Sequence, residues 1–256
     1  ARPVFKAYLL ENPGNAGANA LPGATNRPSE PADADPGLDP GSALPLVAGG
    51  ELRIPSDAAK EEPAASWKIL TVGRNVAPLR AAFDGSTLTL DYAGGALRTN
   101  LEAFGAVTRT VAGDFVFTAR LNHLELHGRE AEPMAGLFIQ KDFRPDSPRA
   151  AFLLDSAETI WRITRSRQGS PWEISQNPLT LPLWLRLVRD GDSVRCYTSN
   201  DGYNWALEDL LGMRLPERVQ VGILAGTPGY DSPASATFDQ IRLIAGPRPM
   251  ESVAKG

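Results

Sequence analysis

Between Trp184 and Trp205 the chain reads WLRLVRDGDSVRCYTSNDGYNW, and this stretch leaves little choice of fold. Leu185, Leu187 and Arg189 fall on one side of a strand; Trp184, Arg186 and Val188 fall on the other. Alternation with a period of two yields a single apolar face only in an extended strand, where successive side chains point to opposite faces. Asp190-Gly191 is a two-residue hairpin signal, because glycine takes the positive φ of a tight hairpin turn without a Cβ clash. The return strand is predicted over Ser193 to Ser199, and Asp201-Gly202 turns the chain again before Trp205. The spacing predicts a β-meander.

The same grammar recurs along the chain. Trp67 to Val72 reads as a first strand, and Leu88, Leu90 and Tyr92 alternate with Thr87, Thr89 and Asp91 in a second. Gly94-Gly95 interrupts it, and Ala96 to Asn100 continues the ladder. The clearest strand is Phe115 to Leu126, with Phe115, Phe117, Ala119 and Leu121 on one face and Val116, Thr118, Arg120 and Asn122 on the other. Ala135 to Lys141, Ala150 to Asp155, Thr159 to Thr164, Val219 to Ala225 and Ala236 to Ile244 complete the set. No long amphipathic helix is visible; Leu207 to Met213 fits one short helical turn. Many short strands separated by Gly, Pro and Asp turns predict a sandwich or a barrel.

Residues 1–66 are a different kind of polymer. Pro and Gly recur every few positions from Pro13-Gly14 to Pro45, and aromatic residues are nearly absent after Tyr8. Such a segment buries too little apolar surface to offset its ordering entropy, so it reads as an extended, irregular arm. Val4, Phe5, Tyr8, Leu9 and Leu10 form a short apolar patch, the natural anchor of an arm laid along a surface, its own or a partner's; the alternative is a mere tether. The arm also carries the charge imbalance: residues 1–63 hold five basic side chains against nine acidic ones, leaving 21 of each for the remainder. The expected division is an arm over 1–66, a β body over 67–246 and a polar tail over 247–256.

Composition excludes several classes. A net charge of −4 gives no nucleic-acid footprint. No apolar run approaches the roughly 20 residues of a membrane-spanning helix. With Cys196 as the one cysteine, no intramolecular disulfide forms.

Five blocks carry a resemblance: GDFVFTARL (Gly113 to Leu121), AGLFIQKD (Ala135 to Asp142), the Trp184 to Trp205 meander, VQVGILAGTP (Val219 to Pro228) and ATFDQIRL (Ala236 to Leu243). In that order they resemble the concanavalin-A-like, laminin-G-like sandwiches of bacterial secreted proteins, and in particular a group of uncharacterised domains similar to the C-terminal module of family 43 β-xylosidases. The resemblance covers Trp67 to Ala245. It implies an all-β, two-sheet antiparallel jelly-roll sandwich of about six strands per sheet, preceded by the Pro/Gly-rich arm. Ser199 to Trp205 resembles that group's Ser-x-Asp-Gly-x-x-Trp turn. An architectural role is implied there: Asp201 bonding the turn's N–H groups, Gly202 left-handed, Trp205 capping the core.

Chemistry is harder to read. Glycosidases of this sandwich class need two carboxyls roughly 5–9 Å apart, in a Glu-x-Asp-x-x-Glu run that this chain lacks. Its nearest counterpart is His123, Glu125 and His127, which holds both histidines of the chain. An unbroken strand projects all three from one face, about 7 Å apart in succession. The triplet fits a divalent-metal site, a polar sugar-binding patch, or a solvated strand end. Trp161, Trp172, Tyr203 and Tyr230 lie in or near turns, where an aromatic ring serves as a sugar platform or as rim packing. Trp172, between Gly169, Pro171 and the following strand, is the foremost of them. Cys196 in mid-strand reads as a small core residue rather than a nucleophile.

The expectation is therefore a protein without catalytic residues, metal or cofactor: a non-catalytic, glycan-binding sandwich module of a secreted or periplasmic protein, with Trp172, Tyr203, Tyr230, His123, Glu125 and His127 as candidate contacts. The alternative is an accessory or structural subunit of a larger assembly, membrane-associated or not, laced to neighbouring subunits by residues 1–66. A third reading is a glycoside hydrolase with an unrecognised site.

Overall fold

The computed structural model describes residues 46–52, 67–74, 76–95, 97, 103–127, 132–227 and 232–246. They form fifteen strands and, among the described residues, no helix. The first five are β1 (Leu46–Leu52), β2 (Trp67–Val72), β3 (Arg80–Phe83), β4 (Leu88–Ala93) and β5 (Phe104–Ala112). Then come β6 (Phe115–Leu126), β7 (Met134–Gln140), β8 (Arg149–Asp155), β9 (Thr159–Arg165) and β10 (Glu173–Pro178). The last are β11 (Leu183–Asp190), β12 (Ser193–Ser199), β13 (Ala206–Gly212), β14 (Arg218–Gly226) and β15 (Pro233–Ala245).

All pairings are antiparallel, and they build two sheets. One has eight strands in the order β1-β2-β5-β14-β7-β8-β9-β10; the other has seven, β13-β12-β11-β6-β15-β4-β3. The all-β, two-sheet sandwich expected from the sequence is what forms, with more strands per sheet than the six expected. The residues facing inward from both sheets share one core, including Trp67, Leu137, Phe152 and Val221 of the first and Phe117, Leu121, Leu187 and Phe238 of the second. Trp67 and Phe117 meet across it with ring centres 5.7 Å apart. At one margin Arg162 of β9 reaches the other sheet, its Nη1 3.2 Å from Glu208 Oε2.

The sheets differ on their outer sides. Every residue of β7 and β8 is buried, and a second cluster containing Val72, Phe104, Met134, Phe138 and Leu153 covers the outer face of the eight-stranded sheet. On β11 of the seven-stranded sheet, buried and half-exposed positions alternate strictly. That sheet keeps an open outer face, as antiparallel sheets with one solvated side do.

Several expectations need correction. Leu207 to Met213 is no helical turn: Ala206–Gly212 is the edge strand β13, paired to β12. β1 falls inside residues 1–66, so the arm boundary fails for 46–52; these residues pair with β2, with a register shift between Ala48 and Gly50 at the Gly49-Gly50 pair. β5 carries no alternation to find, because its first five residues are all buried. The hairpin loop between β11 and β12 is Gly191-Asp192, one residue later than read: Asp190 still pairs with Ser193, and Gly191 takes φ +57°. The rest of the arm, its patch Val4, Phe5, Tyr8, Leu9 and Leu10, most of Ala96 to Asn100, Tyr230 and the tail from 247 lie outside the described residues.

Phe117, the third residue of β6, is fully buried in the shared core. Truncating it leaves a cavity that close-packed neighbours fill only in part, so Phe117→Ala is expected to cost about 3–5 kcal/mol of unfolding free energy, read by urea denaturation.

Candidate functional site

The open face of the seven-stranded sheet is laid out by strand register. Val188 of β11, Val116 of β6 and Ile244 of β15 stand opposite one another in a first row. Arg186, Thr118 and Arg242 form the second, and Trp184, Arg120 and Asp239 the third. In the third row Arg120 Nε donates to Asp239 Oδ1 at 2.8 Å. Burial pushes the Asp239 carboxyl up, but Arg120 and Asn122 more than offset it, so the group sits below its ordinary value.

Two β-bulges between β6 and β15 set the phase of this face. Thr237 pairs with His123 and Phe238 with Leu121, which leaves Asn122 as an extra residue. Odd-numbered β6 residues point inward before it; beyond it Leu124 is buried while His123 and Glu125 are exposed. The second bulge lies between Asp239 and Arg242, where Gln240 takes φ +50°. A bulge shifts which side chains reach a face without ending the strand.

The loop after β12 overhangs the rows. Ser199 Oγ donates to Asp201 Oδ1, which also accepts the backbone N–H groups of Tyr203 and Asn204, at 2.8 Å each. Asp201 Oδ2 accepts from Asn204 Nδ2 at 2.7 Å. These bonds to Asn204 and Tyr203, with Ser199, hold the Asp201 carboxyl far below its usual range. Gly202 sits at φ +77°, and a Cβ there would lie 2.8 Å from the Trp184 ring. The roles implied for Asp201 and Gly202 are therefore what the turn uses. Trp205 does something else: its ring stands outside the core, edge-on to Trp184 at 6.4 Å, with the Arg186 guanidinium 3.6 Å from its centre.

Between loop and rows lies a groove of about 410 Å³. Trp184, Trp205 and Tyr203 supply aromatic surface, and Thr118, Arg186, Gln240 and Arg242 supply polar groups. Tyr203 is 88% exposed. Among the described residues Asp201 is the one carboxylate in the lining, and both its oxygens already accept hydrogen bonds.

The other sequence-predicted residues lie apart from this groove. His123, Glu125 and His127 do share the open face, beyond the bulge. Glu125 Oε2 is 3.2 Å from His123 Nε2, and Oε1 is 3.8 Å from His127 Nδ1. His127 Nε2 also lies 2.9 Å from Ser235 Oγ. This is an exposed carboxylate between two imidazoles, and among the described residues no three His, Cys, Asp or Glu side chains are grouped to hold a metal. Trp172 packs against the cluster on the opposite sheet, with Arg165 3.9 Å and Arg149 5.0 Å from its ring centre. It is not brought together with Tyr203. Cys196 is a core residue, its thiol pushed up by burial. Trp184, Arg186, Gln240 and Arg242 belong to no motif of their own; the alternation that places Trp184 and Arg186 on the strand side opposite Leu185 and Leu187 is the one local signal for two of them.

The fold defines the chain as a two-sheet antiparallel β-sandwich. No family model matches it, and no curated protein does. Among solved structures it is similar to a functionally unknown protein from Saccharomyces cerevisiae, at 15% identity over 66% of this chain and 93% of that one, with a TM-score of 0.55. That likeness is one of fold. Looser superpositions are with the carbohydrate binding module CBM66 from Bacillus subtilis (11% identity, 74% and 99% of the two chains, TM-score 0.43) and the GH43 BlXynB protein from Bacillus licheniformis (13%, 81% and 55%, 0.45).

The Asp201 turn has a pH signature. A carboxyl held below its unfolded value contributes stability that is complete above the unfolded pKa, about 3.9, and is lost as pH falls through the depressed native value. The stability gap between wild type and Asp201→Asn is expected to be constant from about pH 5 to about pH 8 and to shrink below about pH 4, read by denaturant titration at each pH.

Proposed function

We propose that the chain is a non-catalytic glycan-binding β-sandwich module of a secreted or periplasmic protein, and that saccharide lies in the groove beneath Tyr203. The observation that carries this reading is Tyr203 itself. A phenol ring that is 88% exposed beside two tryptophans is a platform awaiting an apolar face. A sugar ring has such a face in its C–H groups, while its hydroxyls need the kind of polar groups that line the floor. Sites with aromatic walls and a few placed polar groups orient small ligands in this way. The Asp201 carboxylate is engaged by its own turn, so among the described residues the lining offers no pair of carboxyls for acid and base or nucleophile. The placement outside the cytoplasm, and kinship with the domain group similar to family 43 β-xylosidase C-terminal modules, rest on the sequence resemblance and belong to the same proposal.

Tyr203→Ala is expected to weaken retention on the cognate polysaccharide roughly five- to tenfold, the equivalent of about 1 kcal/mol of aromatic contact. Trp172→Ala is expected to leave retention unchanged while lowering stability. Affinity electrophoresis over a panel of polysaccharides reads both, and wild type running unretarded through every gel defeats the proposal.

A second reading, an accessory subunit of a larger assembly, has one observation in its favour. Leu207 and Leu210 are 53% and 57% exposed on the edge strand β13, and an apolar edge is a template for pairing with another chain. Under the first reading, Leu207→Lys with Leu210→Lys leaves sedimentation and glycan retention as in wild type. Under the second it dissolves an assembly that wild type forms.

A further inference from the structure

Gln240 occupies a backbone conformation that its own side chain makes unfavourable. Among the described residues, Glu158 and Gln240 are the two other than glycine with a positive φ. Glu158 closes the turn from β8 into β9, its N–H bonded to the Asp155 carbonyl at 3.1 Å. Gln240 lies instead within β15, at the bulge between Asp239 and Arg242, with φ +50°. A Cβ is disfavoured in that left-handed region, and glycine is the residue that suits a bulge of this conformation. A glutamine there accepts backbone strain and keeps a side chain, and residues strained in this way gather at ligand sites.

That side chain is exposed and lines the groove. Other polar groups of the lining are engaged. Asp201 is held by its own turn, Trp205 Nε1 donates to the Gly202 carbonyl at 3.1 Å, and Thr118 Oγ1 accepts from Arg186 Nε at 3.2 Å. Among the described residues the Gln240 carboxamide takes part in no hydrogen bond. A carboxamide carries an acceptor oxygen and two N–H donors in one plane. Two hydroxyls on neighbouring sugar carbons present the matching pair, one donating to the oxygen and one accepting from the nitrogen. An ether in place of either hydroxyl has no proton to donate.

We propose that Gln240 is a specificity-determining residue of the groove, its carboxamide hydrogen-bonded to two adjacent free hydroxyls of a sugar whose ring lies against Tyr203. This rests on the glycan-binding reading above, and it narrows the ligand class to saccharides with an unsubstituted pair of neighbouring hydroxyls.

The test is calorimetric titration of the full chain with xylotetraose, cellotetraose and mannotetraose. The tightest binder is then compared with its O-methylated form. Wild type is expected to bind the free sugar about tenfold or more tighter than the methylated one, as two neutral hydrogen bonds provide. Gln240→Gly is expected to bind the free sugar about tenfold more weakly and to narrow the gap between the two forms several-fold, the coupling that a double-mutant cycle reads. Its thermal midpoint is expected to stay at the wild-type value or rise, because glycine adopts positive φ without strain. Tyr203→Ala weakens both forms and keeps the wild-type ratio between them. Equal affinity of wild type for free and methylated sugar overturns the inference while glycan binding stands. So does a Gln240→Gly variant that keeps the wild-type gap. A Gln240→Gly variant that is destabilised or does not fold also overturns it, since the side chain then serves the fold. If wild type binds none of the three tetrasaccharides, the glycan-binding reading falls with it.

Discussion

Burial of one face per strand across a shared core is the constraint from which the rest of the molecule follows. Phe117, Leu121, Leu187 and Phe238 enter that core from one sheet, and Leu137, Phe152 and Val221 from the other. Each inward side chain forces its neighbours outward, because the pleat has a period of two. A slip of one residue in register would exchange the whole of one face for the other. The cross-strand rows on the open sheet are thus the complement of the core: Arg186 stands outside because Leu185 and Leu187 stand inside.

The bulges between β6 and β15 are the points where this rule is broken and then restored. Asn122 resets the phase, so that His123 and Glu125 reach the same open face as Thr118 and Arg120. The shift beside Gln240 lets Asp239 face Arg120 and Arg242 face Thr118 with an odd step of chain between them. Arg242 consequently arrives in the groove. Above it the Asp201 turn fixes Tyr203 through hydrogen bonds to a carboxylate, and the bare Cα of Gly202 lets the loop lie against Trp184. Aromatic wall and polar floor of the groove are assembled from β6, β11, β15 and one loop, far apart in the chain and adjacent in the sheet.

Legibility in the sequence followed burial. Strands with one wet face announced themselves: Trp67–Val72 and Phe115–Leu126 fall where alternation put them. Strands without that contrast did not. The opening of β5 is buried on both faces, β10 is mostly exposed on both, and β3 has four residues. β13 was mistaken for a helical turn because LEDLL presents leucines at helical spacing, while pairing to β12 decides its conformation. Tyr203 was legible as a turn aromatic. Trp172 was legible in the same way and proved to pack on Arg165 and Arg149, since nothing in a loop sequence tells which cluster lies beneath it.

By itself the sequence determined the strands with one wet face and the inward and outward sides of the clearest of them, because these depend on neighbours one or two residues away. It also determined the Asp201-Gly202 turn, whose hydrogen bonds close within a few residues. Only the tertiary structure decided which outward residues meet. Strand order, register and two bulges bring Arg186, Thr118 and Arg242 into one row, and these are properties of pairings between distant segments that no local pattern encodes.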